Sequence, residues 1–172
     1  MDTNKNIDKL LEKLLSFGED QVHNICFFML NSGLRMKEVI DAKFSDIDFK
    51  TGTLQIVVPR SNLFNKEKVI KLNQISLTLL AKIRDQYPND TWVFQSKNKK
   101  NQINSHPKAL SYQSALNTIK KNSKHNLSLN RIRHAYATSN FRNQLTSPSI
   151  IDIKNNLGHE TINTTINYIK NE

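Results

Sequence analysis

Cysteine is nearly absent from this chain. Its 172 residues include one, Cys26, inside the apolar run "VHNICFFML". A lone cysteine excludes an internal disulfide, and no Cys/His spacing suits a zinc site, so Cys26 reads as core. Long apolar runs are absent as well: no stretch approaches the roughly 18 consecutive apolar residues that read as a transmembrane helix. The N-terminus, "MDTNKNIDKLLEKLL", carries acids in an amphipathic pattern and lacks the continuous apolar segment of a signal peptide, so a cytoplasmic protein is expected. Glycine and proline number four each and never cluster into a linker. No segment repeats, and residues 1–172 read as a single domain. Acidic residues are scarce: 15 against 25 lysines and arginines, a net charge of +10. That imbalance points to a polyanionic partner, nucleic acid before a membrane surface.

What is present is mostly helical. Ile7, Leu10, Leu11, Leu14 and Leu15 recur at helical spacing. Val22 to Leu30 reads as a mostly buried helix that stops at "NSG", and a third helix is expected from about Leu34 to before "FSDIDFKTG". "TLQIVV" is rich in β-branched residues and reads as a strand, ended by Pro59. "KVIKL" reads as its partner across a hairpin that contains "RSNLFNKE". Further helices are expected in "QISLTLLAKIRDQ", "SYQSALNTIKKN", "SLNRIRHAYATSNF" (with Ser128 as N-cap), "IIDIKNNL" and "TINTTINYIK". "SKNKKNQINSHPKAL" reads as a polar, basic loop. Trp92 and Phe94 in "TWVFQ" read as core. The expected class is mainly α with a small antiparallel β-hairpin or sheet.

Several polar residues recur in chemically suggestive places. Arg35 stands at a helix start just after a glycine turn, where the helix N-terminus already favours anions and a guanidinium adds a two-pronged phosphate fork. By itself this also describes a solvated surface arginine. Arg133, in "NRIRHAYAT", follows Ile132 at the edge of a buried face and so needs either a salt-bridge partner or a ligand. His159 follows in "LGHETINTTINY", and Tyr168 lies nine residues beyond it, with four residues after it.

Taken together, "SGLRMKEV…SDIDF", "IRHAYAT", "LGH" and the tyrosine nine residues after that histidine resemble the catalytic domain of the tyrosine recombinases, the phage integrase family. The resemblance runs from about residue 20 to the end. It implies the DNA breaking-rejoining catalytic fold and a site-specific recombinase or integrase acting on double-stranded DNA through a 3′-phosphotyrosine intermediate. It implies Tyr168 as nucleophile, Arg35 and Arg133 as the pair that stabilises the phosphorane, and His159 as a hydrogen-bond donor to a non-bridging oxygen. Such chemistry needs neither ATP nor a metal, and no cofactor is expected. Glu38 matches an acidic position of the family and would orient Arg35, with a surface i, i+3 contact as the alternative. Asp46 and Asp48 read as turn residues, and His134 as a buried structural histidine.

The pattern is broken twice. Where the family usually has histidine, three positions before the second arginine, this chain has Asn130, which donates a hydrogen bond but accepts no proton at neutral pH. The hairpin lysine that serves the family as general acid falls at Leu63. Lys66 is the substitute expected first, with Arg60 and Lys68 as alternatives; His125 is a weak substitute for the missing histidine. The separate N-terminal clamp domain of larger relatives is not expected within these residues. A monomer without DNA, and assembly on DNA, are the corresponding expectations. The two gaps keep open an alternative function: a catalytically impaired DNA-binding remnant or regulator of a mobile element.

Overall fold

The structure, a computed structural model, describes residues 3–58, 66–97, 106–123, 127–142 and 148–170. Eight helices and three strands are described, beginning with α1 (Thr3–Ser16), α2 (Asp20–Ser32) and α3 (Met36–Ile40). The strands follow as β1 (Ile47–Asp48), β2 (Thr53–Val58) and β3 (Lys66–Lys71). Helices α4 (Gln74–Gln86), α5 (Tyr112–Asn122), α6 (Leu129–Arg142), α7 (Ile150–Leu157) and α8 (Ile162–Lys170) complete the order.

Helix α2 is the hub, because its sequence is apolar on nearly every side. Ile25, Cys26, Phe28 and Met29 are all fully buried, and α1, α3, α4, α5 and α6 pack against it. Burial pushes the Cys26 thiol up to about 12, consistent with an inert core position. Helix α1 is amphipathic as its spacing requires, with Ile7, Leu10 and Leu14 inside while Leu15 remains exposed. It extends the fold before residue 20, where the sequence resemblance begins.

The sheet is antiparallel in the order β1-β2-β3. Its register pairs Leu54 with Ile70 and Ile56 with Lys68. Alternation therefore places Lys68 on the face of Leu54, Ile56 and Ile70, which are buried, and leaves Val57 and Val69 outside. The second strand starts at Lys66, two residues earlier than its apolar pattern suggests, and a short third strand occupies part of the segment read as a turn. Asp48 still acts as a turn residue: its Oδ1 accepts from the N–H groups of Lys50 and Thr51.

Helix starts follow the side-chain caps. Asn73 accepts from Ser76 N–H at 2.8 Å, Ser128 Oγ from Arg131 N–H at 3.3 Å, and Ser149 and Asp152 cap α7 reciprocally. Helix α3 begins at Met36 rather than near Leu34, because Gly33 ends α2 with φ +71° and Leu34 and Arg35 remain outside the helix. Phe94 is core, as expected. Trp92 is only half-buried, and its ring lies under Lys43 Nζ at 4.7 Å. At the base of the basic loop, Lys97 pairs with Asp90 and covers the Tyr87 ring at 3.6 Å, so its charge is already used within the fold. Residues 98–105 of that loop lie outside the described residues, and its far end returns to the fold through the Ser96 N–H, which donates to the Lys108 carbonyl at 2.9 Å.

A second, smaller core sits where α6, α7 and α8 meet. Tyr136, Ala137, Ile153 and Leu157 form it, with Phe141, Tyr168 and Ile169 packed against them.

Candidate active site

Arg35 leaves the fold where α2 ends. Its backbone N–H donates to Glu38 Oε2 at 2.7 Å, and its Nη1 donates to Glu38 Oε1 at 3.3 Å. The Glu38 side chain is 8 % exposed and that of Arg35 50 %. The carboxylate is thus buried and the guanidinium reaches outward, the arrangement expected if Glu38 orients Arg35.

Arg133 is nearly enclosed. Its Nε donates to the Gly33 carbonyl at 2.9 Å and its Nη2 to the Leu157 carbonyl at 2.7 Å. The partners that the sequence required for this arginine are main-chain oxygens rather than a carboxylate. Burial pushes its pKa down and nearby Arg35 adds to this; Tyr168 and Glu38 oppose it. The two arginines, separated by about a hundred residues, are therefore electrostatic neighbours.

Lys68 enters the same cleft from β3. Its Nζ donates to the Asn156 carbonyl at 2.6 Å and stands 3.7 Å from Glu38 Oε1. Its pKa falls to about 8: burial is the main cause, Glu38 opposes, and Arg133 and Arg35 add to the fall. Lys66, the lysine expected here first, opens β3, but its side chain falls outside the described residues. Arg60, Leu63 and His125 lie outside them entirely. Lys68 is the hairpin lysine that the fold brings to the two arginines.

His159 follows the turn at Gly158. Its pKa is depressed, first by burial and then by Arg133, Arg35 and Lys68, which holds the ring neutral around pH 7. Its Nδ1 lies 3.1 Å from Thr165 Oγ1, a fully buried hydroxyl. Thr165 Oγ1 also lies 3.5 Å from the Thr161 carbonyl, so its one proton has two acceptors within reach and the contact fixes the position of the ring rather than its tautomer. Gly158 has φ +71°, and a Cβ built there would lie 3.5 Å from Arg35 Nη1 and 3.7 Å from Lys68 Nζ. The turn thus requires glycine conformationally and also lets two cations close over it.

Tyr168 stands on α8 beside this cluster. Its ring meets His159 edge-on, with centroids 5.2 Å apart, and the His134 ring at the same 5.2 Å. Its hydroxyl donates to the Asn130 carbonyl at 3.2 Å, and its own carbonyl lies 2.9 Å from His134 Nε2. His134 is buried and structural, as expected. The Asn130 side chain is exposed; it is the main chain of this residue that meets Tyr168.

Arg35, Glu38, Lys68, Gly158 and His159 line an open cleft of about 460 Å³, with Lys154 at its edge. Glu67 and Glu160 line it too, so three cations and three carboxylates balance over the cleft as a whole. Positive charge is concentrated at one corner, where Arg35 and Lys68 lie within electrostatic reach of Arg133 and share the single carboxylate of Glu38, and that corner favours an anion of phosphate size. Among the described residues no group of three or more His, Cys, Asp or Glu is placed to hold a metal ion. Sequence reasoning missed Thr165, Asn156 and Tyr136, whose only signal is polarity at positions that helical spacing places inside.

Comparison with known proteins agrees with this geometry. A sequence model described as the Phage integrase family matches residues 3–172. A "Probable integrase/recombinase" of Acholeplasma phage L2 is 28% identical over 147 residues, covering 83% of this chain and 46% of that protein. The crystal structure of XerA recombinase superposes with a TM-score of 0.66 at 20% identity, over 96% of this chain and 56% of that one. A lambda integrase dimer bound to a COC' core site gives 0.66 at 15% identity, over 95% of this chain and 46% of that one. The chain therefore spans about half the length of these relatives. The structural likenesses establish the fold: a mainly helical domain with a small antiparallel sheet.

Proposed function

The chain belongs to the phage integrase family, and we propose that it cuts and rejoins double-stranded DNA at specific sites, with Tyr168 as nucleophile. The observation that carries this reading is the meeting of Arg35, Lys68 and His159 in one cleft, with Arg133 within electrostatic reach of all three and the Tyr168 ring against His159. Residues 1–172 act as the catalytic domain in this proposal.

Each group has a physical task. The Tyr168 oxygen attacks the scissile phosphorus while its hydroxyl proton passes to solvent water, since the Asn130 carbonyl it meets is no base. The bond from phosphorus to the 5′ oxygen breaks, leaving a 3′-phosphotyrosine and a free 5′-hydroxyl. Arg35 and Arg133 bind the non-bridging oxygens, whose charge grows in the transition state. Neutral His159 adds a hydrogen bond from its ring N–H, and Thr165 against Nδ1 holds the ring in place. Lys68 gives a proton to the departing 5′ oxygen, the task for which Lys66 was the first expectation. A pKa near 8 suits it: protonated at pH 7, yet a stronger acid than an ordinary lysine. Attack by a second 5′-hydroxyl reverses every step and rejoins the strand.

Asn130 favours one rival, a DNA-binding remnant with impaired cleavage, because no imidazole stands where the family usually has one. No helix among the described residues is long and apolar enough to cross a membrane; a cytoplasmic location beside DNA completes the proposal. Nicked suicide duplexes of randomised sequence test it. An active enzyme becomes trapped as a covalent protein–DNA adduct that survives denaturation and is enriched in one sequence. Retained binding without any adduct would favour the remnant.

A further inference from the structure

The last turn of α7 holds two of the site's cations. The Asn156 carbonyl accepts Lys68 Nζ at 2.6 Å, and the next carbonyl, of Leu157, accepts Arg133 Nη2 at 2.7 Å. Carbonyls in a helix's final turn lack helical partners and lie at the negative end of its dipole, so they are natural acceptors for cations. Where that turn stands decides where the two charges stand.

One buried side chain fixes the turn from two sides. Asn156 Nδ2 donates to the Tyr136 hydroxyl on α6 at 2.8 Å and points to the Lys71 carbonyl on β3 at 3.4 Å. The Lys71 oxygen accepts only, which sets the orientation of the amide. Asn156 Oδ1 is left without a partner, so keeping this amide among apolar neighbours carries a desolvation cost. Both residues are 2% exposed. The Tyr136 ring in turn lies on Gly33, where a Cβ would come within 2.4 Å of Cδ1, and the Gly33 carbonyl takes Arg133 Nε. An apolar pair would fill this space more cheaply, and packing alone does not account for the bond.

We propose that Tyr136 and Asn156 are positioning residues: their buried bond sets the α7 turn so that its two terminal carbonyls hold Lys68 and Arg133 at the spacing of a phosphate. The pair touches no substrate. The inference rests on the reading of Lys68 and Arg133 as phosphate-facing groups.

The test uses the double variant Tyr136→Phe/Asn156→Leu, which removes both polar partners and leaves none orphaned. Three readouts are taken: the thermal midpoint, binding of inorganic phosphate followed through the Arg133 Nε–H signal, and titration of the Lys68 Cε signal. Lys68 is assigned by its loss in Lys68→Arg. The expected result is a midpoint close to the wild type, phosphate binding weaker by about tenfold, and a Lys68 titration moved from about 8 toward the ordinary 10.5. Groups facing Lys68 that bear on this titration are Glu38, Arg35, Arg133 and His159, all retained in the variant. Unchanged phosphate binding and an unchanged titration would overturn the pair's role while leaving the functional reading intact. Wild-type protein that binds no phosphate at Arg133 would overturn both. Tyr136→Phe alone, which keeps the ring on Gly33, gives the same readouts with smaller size if the double variant does not fold.

Discussion

Lys68 shows how a single side chain is tuned by its setting. It sits under the sheet with 9% of its side chain exposed, close to one carboxylate and two guanidinium groups. Two pH effects follow, and their signs differ. Lys68 must be protonated to donate, so cleavage should decline as pH rises through about 8. Stability moves the other way. The folded pKa lies below the unfolded one, so the unfolded chain binds the extra proton between about 8 and 10.5. Lys68's contribution to stability therefore grows over that window and is lost as pH falls through 8, by roughly 3 kcal/mol in all. Denaturant unfolding at pH 8 and pH 10, wild type against Lys68→Met, checks it; equal pH dependence in the two would refute the buried charge. Thr165→Val should fold but cleave about tenfold more slowly, because the polar contact that positions the His159 ring is lost; an unchanged single-turnover rate would show that Thr165 does not set the ring. The arginines, His159 and Tyr168 were legible in the sequence because each sits in a motif with fixed spacing. Lys68 was legible only as an alternative to Lys66: "NKEK" offers two lysines, and the choice between them depends on the register of β3 on β2.

At the level of elements, the site is assembled from ends rather than middles. The C-terminus of α2 gives the Gly33 carbonyl, the start of α3 gives Arg35, and the last turn of α7 gives two carbonyls and Gly158. Helix types and approximate spans were readable from apolar spacing and caps, as with Ser128 and α6. The ends were less readable. The start of α3 depends on Gly33, whose left-handed conformation makes the turn and whose missing Cβ leaves room for the ring of Tyr136, about a hundred residues away. Gly33→Ala tests that dependence. The added Cβ meets the ring at 2.4 Å and the backbone has positive φ. The expected loss of stability is about 2–5 kcal/mol, the sum of left-handed strain and overpacking. A loss under about 1 kcal/mol in denaturant unfolding would mean that the ring moves aside freely.

At the scale of the whole molecule, the net charge of +10 and the cationic corner formed by Arg35, Lys68 and Arg133 describe the same preference, for a polyanion with a phosphate to engage closely. Composition made that legible before any motif was read; the shape of the cleft was not, since it joins the start of α3, β3, α7 and the turn after α7. Binding to duplex DNA should weaken steeply with salt, with a slope of log affinity against log salt near −0.9 for each phosphate contacted. A flat response in a fluorescence titration would exclude phosphate contact as the main source of affinity. The central claim is narrower: one of four tyrosines in this chain forms the bond to DNA. Peptide mapping of the trapped adduct by mass spectrometry addresses it directly. The account predicts a nucleotide joined to the peptide containing Tyr168, and no adduct from Tyr168→Phe protein that still binds DNA. A nucleotide on Tyr87, Tyr112 or Tyr136, or an adduct persisting in Tyr168→Phe, would contradict it.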